Sequence, residues 1–253
     1  MATQAIPATQ MVKAKQAVDP LVNRRRDWLG ALRALRRLLA DANDTTQVFK
    51  IMRALNVGTM QAGYERLLQT PQGGRLAFQH VELAERFSDP AFVDSFAPGS
   101  VGATYAAFLA RTGYSAAGLA DISRTDDPWR DAPHPYAWYG RRMRDSHDVW
   151  HVLTGYRADE PLGEACLVAF TYAQTRGLGW AAIAVASALK AWRTPGGKPA
   201  VSAIREGYRR GRAAAWLPGE DYERLFAEPL DQARARLGIG DPTAYLAFQQ
   251  QAG

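Results

Sequence analysis

Apolar residues recur at the 3.6-residue spacing of an α-helix along most of this chain, and no stretch alternates as a half-buried strand would. Clusters of glycine, proline and polar residues, such as 70–74 and 194–199, separate the helical stretches. The 253 residues show no internal repeat and no boundary sharp enough for a second domain. We therefore predict an all-α fold, a single domain of bundle-like helices over residues 21–253, preceded by a flexible lead at residues 1–20.

Turn residues also predict where individual helices begin and end. We predict that Gly58 and Gly63 interrupt the helix that follows the N-cap cluster 43–46, and that residues 76–87 form one helix. A loop-rich connection is predicted for residues 112–135, because five glycines and prolines interrupt it. Further helices are predicted at 136–152, 164–176, 178–192, 201–216 and 222–237, the last with a bend at Pro229.

The stretch 21–39 predicts a strongly basic amphipathic helix. Six arginines (Arg24, Arg25, Arg26, Arg33, Arg36, Arg37) accompany an apolar stripe of Trp28, Leu29, Leu32, Leu35, Leu38 and Leu39. Such a helix fits an anionic lipid surface or a set of phosphate groups. The alternative is that the stripe packs on the domain and the arginines are solvated.

The net charge of +6 favours an acidic partner, either nucleic acid or an anionic membrane, although basic enzymes without such a partner are common. Nucleic-acid binding requires arginines interleaved with aromatic side chains on one surface. The basic helix supplies only Trp28 for that role. We therefore predict no nucleic-acid partner and keep the anionic membrane surface.

The single cysteine, Cys166, excludes an internal disulfide framework and a cysteine-rich zinc module. Its apolar neighbours predict a buried structural thiol. The first ten residues lack the composition of a secretory signal. The longest apolar run, 177–189, is shorter than the roughly 20 residues that span a bilayer, so we predict no transmembrane span.

Residues 144–151, RDSHDVWH, bring together two of the four histidines and an aspartate. On a helix, His147 and His151 project from one face a turn apart, the spacing at which two imidazoles share a metal ion. Asp148 is a candidate third ligand or a hydrogen-bond partner of a ligand. Glu164 completes the set if the chain folds back. The alternative is a histidine pair that only caps or packs.

No motif for nucleotide or serine-hydrolase chemistry accompanies the histidines. The sequence lacks GxGxxG after a strand, GxxxxGK[ST] and GxSxG. Ser146 and His147 are adjacent on a helix and do not face each other, so a serine nucleophile is not supported there.

Residues 147–164 read HDVWHVLTGYRADEPLGE, which resembles the HDxxH…GE signature of the ubiquinone (coenzyme Q) biosynthesis protein Coq-four family. Softer similarity to the family's PEGSLG…Y…FL, RYRE and WE…PL…R..LGI segments is found at 98–109, 139–145 and 208–239. The resemblance covers about residues 44–240. Three departures from the family pattern fit a specialised branch of the family. The loop 152–163 is one residue longer than the family spacing, Asp145 replaces a glutamate, and the segment 126–135 differs from the family's usual approach to the motif.

The resemblance implies an all-α protein, often a homodimer, that is cytoplasmic and peripheral on the inner face of a membrane. It implies a divalent metal at His147, Asp148, His151 and Glu164. Nitrogen and oxygen ligands without thiolate suit zinc, iron, manganese or cobalt. The implied activity is the oxidative decarboxylation of a polyprenylated quinone precursor at ring carbon one, in company with other ubiquinone-biosynthesis proteins.

Two further roles follow as hypotheses. Arg141 and Arg142 are the catalytic candidates that bind the substrate carboxylate, the alternative being a solvated helix face. The apolar helix at 178–189 is a candidate wall for a groove that holds the polyprenyl tail, the alternative being a plain core helix.

Two rival functions remain open at the level of sequence. One is a non-catalytic, lipid-binding scaffold that organises quinone-biosynthesis enzymes around a structural metal. The weaker one is a metal-dependent hydrolase of isoprenoid phosphates, for which only Arg141, Arg142 and Arg144 lie near the histidines in sequence.

Overall fold

The computed structural model describes residues 25–42, 44–126 and 131–252. In these ranges the regular structure is helical, apart from one antiparallel bridge between Ser100 and Pro229. The all-α prediction is therefore confirmed. The flexible lead predicted for residues 1–20 lies outside the described residues.

Sixteen α-helices follow one another in the described residues, with one 3-10 turn at Leu217–Gly219. They are α1 (Trp28–Ala40), α2 (Thr45–Leu55), α3 (Thr59–Leu68), α4 (Gly73–Gln79), α5 (Leu83–Ser88), α6 (Pro90–Val93), α7 (Val101–Thr112), α8 (Gly118–Asp126), α9 (Pro135–Asp145), α10 (His147–Thr154), α11 (Pro161–Thr175), α12 (Leu178–Arg193), α13 (Lys198–Ala213), α14 (Tyr222–Ala227), α15 (Leu230–Leu237) and α16 (Thr243–Ala252).

Helix α11 is the centre of the fold, because ten of its 15 residues are buried. It packs along α13, where glycines permit a close approach. A Cβ atom on Gly207 would lie 2.4 Å from the carbonyl oxygen of Cys166, so a larger residue would push the helices apart. Cys166 is fully buried, as predicted, and burial raises the pKa of its thiol.

Aromatic residues hold α10, the helix that carries the two histidines, against α14. Phe87 of α5 stacks on Phe226 of α14, with ring centroids 4.5 Å apart. The indole nitrogen of Trp150 donates a 2.7 Å hydrogen bond to the hydroxyl of Tyr222, which donates in turn to the carbonyl of Leu217. This rigid aromatic layer restricts how α10 can move.

The helix predicted at 76–87 is two helices, α4 and α5. His80 separates them with a left-handed backbone, φ 49°, and its N–H donates to the carbonyl of Leu76. The His80 ring packs edge-on against Trp138, with centroids 4.9 Å apart. The prediction missed this break because neither glycine nor proline marks it.

Two other boundaries differ from the prediction. The connection 112–135 is less loop-like than expected, because it contains helix α8. Gly63 does not interrupt a helix but lies inside α3, where a Cβ atom would come within 2.4 Å of the Tyr139 ring. Gly58, with φ 75°, does break the chain before α3.

The helix predicted at 136–152 is divided at Ser146 into α9 and α10. The division is slight, since the N–H of Ser146 donates to the carbonyl of Arg142 and the N–H of Trp150 donates to Ser146. Side chains before and after Ser146 therefore keep helical spacing. The predicted bend at Pro229 is confirmed, because it separates α14 from α15.

The basic helix begins at Trp28 rather than near residue 21, because Asp27 caps it by accepting a hydrogen bond from the N–H of Gly30. Arg24 lies outside the described residues. The expected apolar stripe is only partly covered: Ala31 and Ala34 are buried, whereas Trp28, Leu29 and Leu32 are 61%, 66% and 45% exposed. Over the described ranges, none of the helices has both the length and the apolar character needed to cross a bilayer.

Candidate metal centre

His147 and His151 project from the same face of α10. His147 is the first residue of the helix and His151 follows one turn later. Their ring centroids are 4.9 Å apart, with the ring planes at 74°. The helical spacing predicted from the sequence therefore brings the two imidazoles next to each other, at one point on the surface of α10.

Glu164 reaches this point from the first turn of α11. Its Oε1 lies 3.1 Å from Nε2 of His151, and its Oε2 lies 3.9 Å from Nε2 of His147. The fold-back depends on Gly163, because a Cβ atom there would lie 2.0 Å from the carbonyl oxygen of Arg157. A glycine at 163 therefore lets the loop close tightly enough to present the carboxylate.

The proton positions on His151 are set by its surroundings. Nδ1 lies 2.9 Å from the carbonyl oxygen of Tyr156, and a carbonyl only accepts, so Nδ1 carries the proton and donates it. In the neutral ring the lone pair of Nε2 then faces the carboxylate of Glu164. Buried Nε2 has no hydrogen-bond partner. Two acceptors at this distance repel each other, and either a second proton on the ring, at Nε2, or a metal cation between the two atoms removes that repulsion.

His147 is oriented in a similar way by the residue that follows it. Its Nδ1 lies 3.2 Å from Oδ1 of Asp148, which leaves Nε2 on the side of Glu164. Burial lowers the pKa of His147, but the hydrogen bond to Asp148 and the charge of Glu164 outweigh burial and raise it. Burial raises the pKa of Glu164, but His151 and His147 outweigh it and lower it.

Three of the four predicted ligands form one group: His147, His151 and Glu164 each offer an atom within 4.8 Å of the others. Asp148 lies outside the group and contacts the far nitrogen of His147. Two imidazoles and a carboxylate suit a divalent ion such as zinc, iron, manganese or cobalt. Three protein ligands leave coordination positions for substrate or water, the arrangement typical of catalytic sites.

A cavity of about 1130 Å³ opens beside this group, and His147, Asp148 and Glu164 line it. One face of α11 lines the cavity from Leu162 to Thr175, a length of about 20 Å at the rise of an α-helix. The lining is mainly apolar, with contributions from α12 at Trp180, Ile183, Ser187 and Ala191. The segment predicted as a groove wall is thus a wall of this cavity.

The two arginines predicted to bind the substrate carboxylate have partners elsewhere. Arg141 forms a bidentate ion pair with Glu82, with nitrogen–oxygen distances of 2.7 and 2.9 Å. Arg142 is buried, donates to the carbonyl of Glu220, and lies 5.1 Å from the centroid of the Tyr222 ring. Neither arginine lines the cavity. Both therefore hold α9 to its neighbours, and their role in binding a substrate carboxylate stays a prediction that these contacts do not support.

Three residues of the site were not predicted as site residues, although Arg144 was noted as a basic neighbour of the histidines in sequence. Tyr156 acts through its backbone carbonyl, for which no side-chain signal exists. Tyr114 lines the cavity, and burial together with the charges of Glu164 and Asp148 raises its pKa. Arg144 also lines the cavity. Its position one turn before His147 on the same helical face was a signal that could have revealed it.

Comparison with known proteins identifies the family of this chain. The sequence profile described as coenzyme Q (ubiquinone) biosynthesis protein Coq4 matches residues 20–243. This chain belongs to the Coq4 family. Its role is therefore in ubiquinone biosynthesis.

Two similar proteins of known name come from fungi. A protein of Yarrowia lipolytica named ubiquinone biosynthesis protein COQ4, mitochondrial, is 32% identical over 114 residues, 44% of this chain and 40% of that protein. One of Pyrenophora tritici-repentis with the same description is 31% identical over 190 residues, 74% of this chain and 62% of that protein. The match thus spans less than two thirds of the length of these relatives.

A similar fold is seen in a solved structure. The crystal structure of a candidate ubiquinone biosynthesis protein from Nostoc punctiforme PCC 73102 has a TM-score of 0.61 to this chain. The likeness covers 86% of this chain and all of that one, at 21% sequence identity. It supports the same helical fold.

Proposed function

We propose that this protein is a metal-dependent decarboxylase that acts oxidatively on a polyprenylated hydroxybenzoate at ring carbon one. The observation that carries the proposal is that the group His147, His151 and Glu164 adjoins a long, mainly apolar cavity, with His147 and Glu164 in the cavity wall. The ligand group suits the polar ring of such a precursor. The apolar length beside it suits a polyprenyl tail, which must be kept from water.

The residues have distinct roles in this proposal. His147, His151 and Glu164 would hold a divalent ion, which when bound supplies Lewis acidity toward ring oxygens and, if it is iron, manganese or cobalt, redox capacity. The Tyr156 carbonyl orients the His151 ring by accepting a hydrogen bond from its Nδ1, and Asp148 orients the His147 ring in the same way. The apolar lining excludes water from the reacting ring.

The overall reaction needs an oxidant, and we assign that part to dioxygen. A hydroxybenzoate and one dioxygen give carbon dioxide, one water and a ring at the quinone level. One oxygen atom of dioxygen replaces the carboxylate on the ring and the other leaves in water. The bond that breaks joins ring carbon one to the carboxylate, and a two-electron reductant would return the ring to the hydroxylated form.

The same proposal places the protein on a membrane that contains the precursor, peripheral on its cytoplasmic inner face; the two fungal relatives are named mitochondrial. Exposed Trp28, Leu29 and Leu32 on α1 support this, with exposed Arg33, Arg36 and Arg37 beside them. On α12, Val185, Leu189 and Trp192 are exposed as well.

Helices α1 and α12 meet at one end of the cavity, which gives the tail an entry route from the lipid. The ammonium group of Lys190 donates a 2.7 Å hydrogen bond to the carbonyl of Leu39, and both residues line the cavity. A tail entering between these helices would reach the ligand group without crossing water. Assembly as a homodimer and with other ubiquinone-biosynthesis proteins is part of the same proposal.

The proposal is tested by anaerobic metal reconstitution followed by turnover in the presence of dioxygen. The substrate is a geranyl-substituted hydroxybenzoate with a labelled carboxylate, and the readouts are bound metal and released labelled carbon dioxide. We expect release from the metal-loaded wild type and from Glu85→Gln, an exposed glutamate away from the site. His147→Ala and Glu164→Gln should lose both metal and release.

Two outcomes would overturn the proposal. Stoichiometric metal without any release of carbon dioxide would support the non-catalytic scaffold that organises other enzymes. Equal metal content in wild type, His147→Ala and Glu164→Gln would remove the metal centre itself.

A further inference from the structure

Arg144 is a buried arginine in the wall of the cavity. It lies at the end of α9, three residues before His147 and four before Asp148. Since the break at Ser146 is slight, these side chains project from one face within about 6 Å of each other at Cβ. The guanidinium group is therefore a neighbour of the ligand group in the same cavity.

Two contacts fix the position of the Arg144 guanidinium group. Nε lies 2.6 Å from Oδ1 of Asp145, and Nη1 donates a 2.6 Å hydrogen bond to Oγ of Ser123. The Ser123 hydroxyl donates its own proton to the carbonyl of Ala120, so it can only accept from the arginine. Both partners hold the planar group in one orientation.

These contacts leave one edge of the guanidinium group without a partner. Within the described part of the chain, Nη2 makes no hydrogen bond, although the Arg144 side chain is only 4% exposed. Nη2 of Arg144 is not among the fully buried unpaired side-chain atoms of the described residues, so it keeps access to open space, where a bound acceptor would complete its shell. A planar carboxylate is the acceptor that this geometry fits best.

We propose that Nη2 of Arg144 binds the ring carboxylate of the substrate and thereby selects carboxylated precursors over rings without that group. This inference rests on the proposed function, because it assigns the carboxylate of that substrate a protein partner. Asp145 and Ser123 are positioning residues that aim the guanidinium group. Arg144 lines the cavity, whereas Arg141 and Arg142 do not, so we assign to Arg144 the carboxylate-binding role predicted for those two arginines.

Two other arginines in the cavity wall are competitors for this role. Arg66 lies over the ring of Trp216, 4.2 Å from its centroid, and Arg176 caps the C-terminal end of α11. Arg66 is held against the Trp216 ring, and Arg176 is at the opposite end of α11 from Glu164. A carboxylate on a ring held at the ligand group is therefore assigned to Arg144.

The test compares the binding of two ligands to the full-length, metal-loaded protein in detergent. One is a geranyl-substituted hydroxybenzoate and the other is the same phenol with hydrogen in place of the carboxylate. We expect Arg144→Gln to reduce the preference for the carboxylated ligand by about tenfold or more, with the affinity for the phenol unchanged. Arg144→Lys should keep part of the preference because it keeps the charge.

Controls separate this role from a structural one. Arg66→Gln and Arg176→Gln should leave the ligand preference unchanged. Because Arg144→Gln leaves the buried Asp145 carboxylate unpaired, the double variant Arg144→Gln, Asp145→Asn is measured with it, and thermal unfolding and metal content are recorded for both. A folded, metal-loaded variant that retains the wild-type preference, or a loss that follows Arg66 or Arg176 instead, would overturn the inference.

Failure of this inference is distinguishable from failure of the proposed function. If wild type releases carbon dioxide and Arg144→Gln keeps the carboxylate preference, the inference fails and the decarboxylase stands. If the preference depends on Arg144 but no carbon dioxide is released, the decarboxylase fails and Arg144 remains a carboxylate-binding residue.

Discussion

The Nδ1 atom of His151 donates to the backbone carbonyl of Tyr156 across 2.9 Å, five residues along the chain. The tautomer of this imidazole is therefore determined before any ion binds, because the carbonyl cannot give a proton back. The Tyr156 ring lies against the guanidinium group of Arg210, 4.8 Å from its centroid. The orientation of a candidate ligand thus depends on a loop that other helices support.

Replacing Arg234 by alanine should destabilise the protein and weaken metal binding. Its guanidinium group donates to the carbonyls of Val152 and Leu153, two of the groups at the end of α10 that lack partners within the helix. We expect a loss of about 1–3 kcal/mol in urea unfolding. Arg236→Ala is the control, because Arg236 is 45% exposed, pairs with the carboxylates of Glu220 and Glu228 rather than with the end of α10, and should cost under about 1 kcal/mol.

Asp148→Asn should weaken metal binding without abolishing it. Asp148 contacts Nδ1 of His147 rather than the ligand group, so its loss should reduce affinity about 10- to 100-fold, as for other partners of metal-binding histidines. Glu164→Gln should remove binding at the same metal concentration. Competition with a metallochromic chelator measures both. If Asp148→Asn binds as poorly as Glu164→Gln, Asp148 is itself a ligand.

Gly163→Ala should disturb the position of Glu164. The added Cβ would lie 2.0 Å from the Arg157 carbonyl oxygen, so the loop must shift, at a cost of about 1–3 kcal/mol and with loss of metal affinity. Gly74→Ala is the matched control. Gly74 is an exposed glycine inside α4 with nothing within 4 Å of its Cβ position, and the change should be neutral or stabilise by up to about 1 kcal/mol. Equal unfolding midpoints for the two variants would contradict the close approach.

The free energy of unfolding should decrease as pH rises from the pKa that a tyrosine has in the unfolded chain to the higher pKa that it has when buried in the folded protein. Burial raises the pKa of Tyr222 from 10.0 to about 12, so the unfolded state loses this proton first as pH rises. The stabilisation is complete below the unfolded pKa and is lost toward about 12. At about pH 11 one such tyrosine costs about 1.4 kcal/mol.

Tyr222→Phe separates this effect from simple loss of packing. It should be less stable than wild type at about pH 8, since Trp150 loses its acceptor, but should lose less between about pH 9 and about pH 11 in urea unfolding. Tyr208→Phe is the control, because hydrogen bonds from Arg212 lower the pKa of Tyr208 and its removal should not reduce the alkaline loss. Parallel losses in wild type and Tyr222→Phe would refute the assignment.

Neutralising Arg36 and Arg37 with glutamine should weaken binding to vesicles that contain anionic lipid. At roughly 1 kcal/mol per basic residue near the surface, the pair should reduce affinity about thirtyfold at low salt. Arg205→Gln with Arg209→Gln removes the same charge from exposed positions on α13 and should have little effect. Sedimentation of the full chain with vesicles measures this, and equal losses for both pairs would mean that only net charge matters.

The helical class and the two histidines were predictable because both follow from local spacing. Periodicity predicts α11, α12 and α13 and the stretch that contains α9 and α10, and the relative positions of His147 and His151 follow from the number of residues per turn. Breaks were predicted where glycine or proline marks them, as at Gly58 and Pro229. The break at His80 carries no such mark and depends on the contact of its ring with Trp138.

The rest of the site was not predictable because it depends on packing between distant segments. The partner of Arg141 is Glu82, 59 residues away, and nothing near Arg141 in the sequence indicates that pairing. The reach of Glu164 depends on how closely Gly163 approaches Arg157, which loop length does not determine. Asp148 follows His147 directly, yet only the side-chain rotamers decide which nitrogen it meets.

Positions along helix α11 can be measured from Glu164, the candidate metal ligand near its N-terminal end. The residues that line the cavity recur along one face, and Thr171, two turns from Glu164, lies about 10 Å along the axis. A bulky side chain there would shorten the usable length of the cavity by a defined number of carbon atoms. In the proposed function, the size of the side chains on this helical face therefore sets the length of hydrocarbon that the cavity can hold.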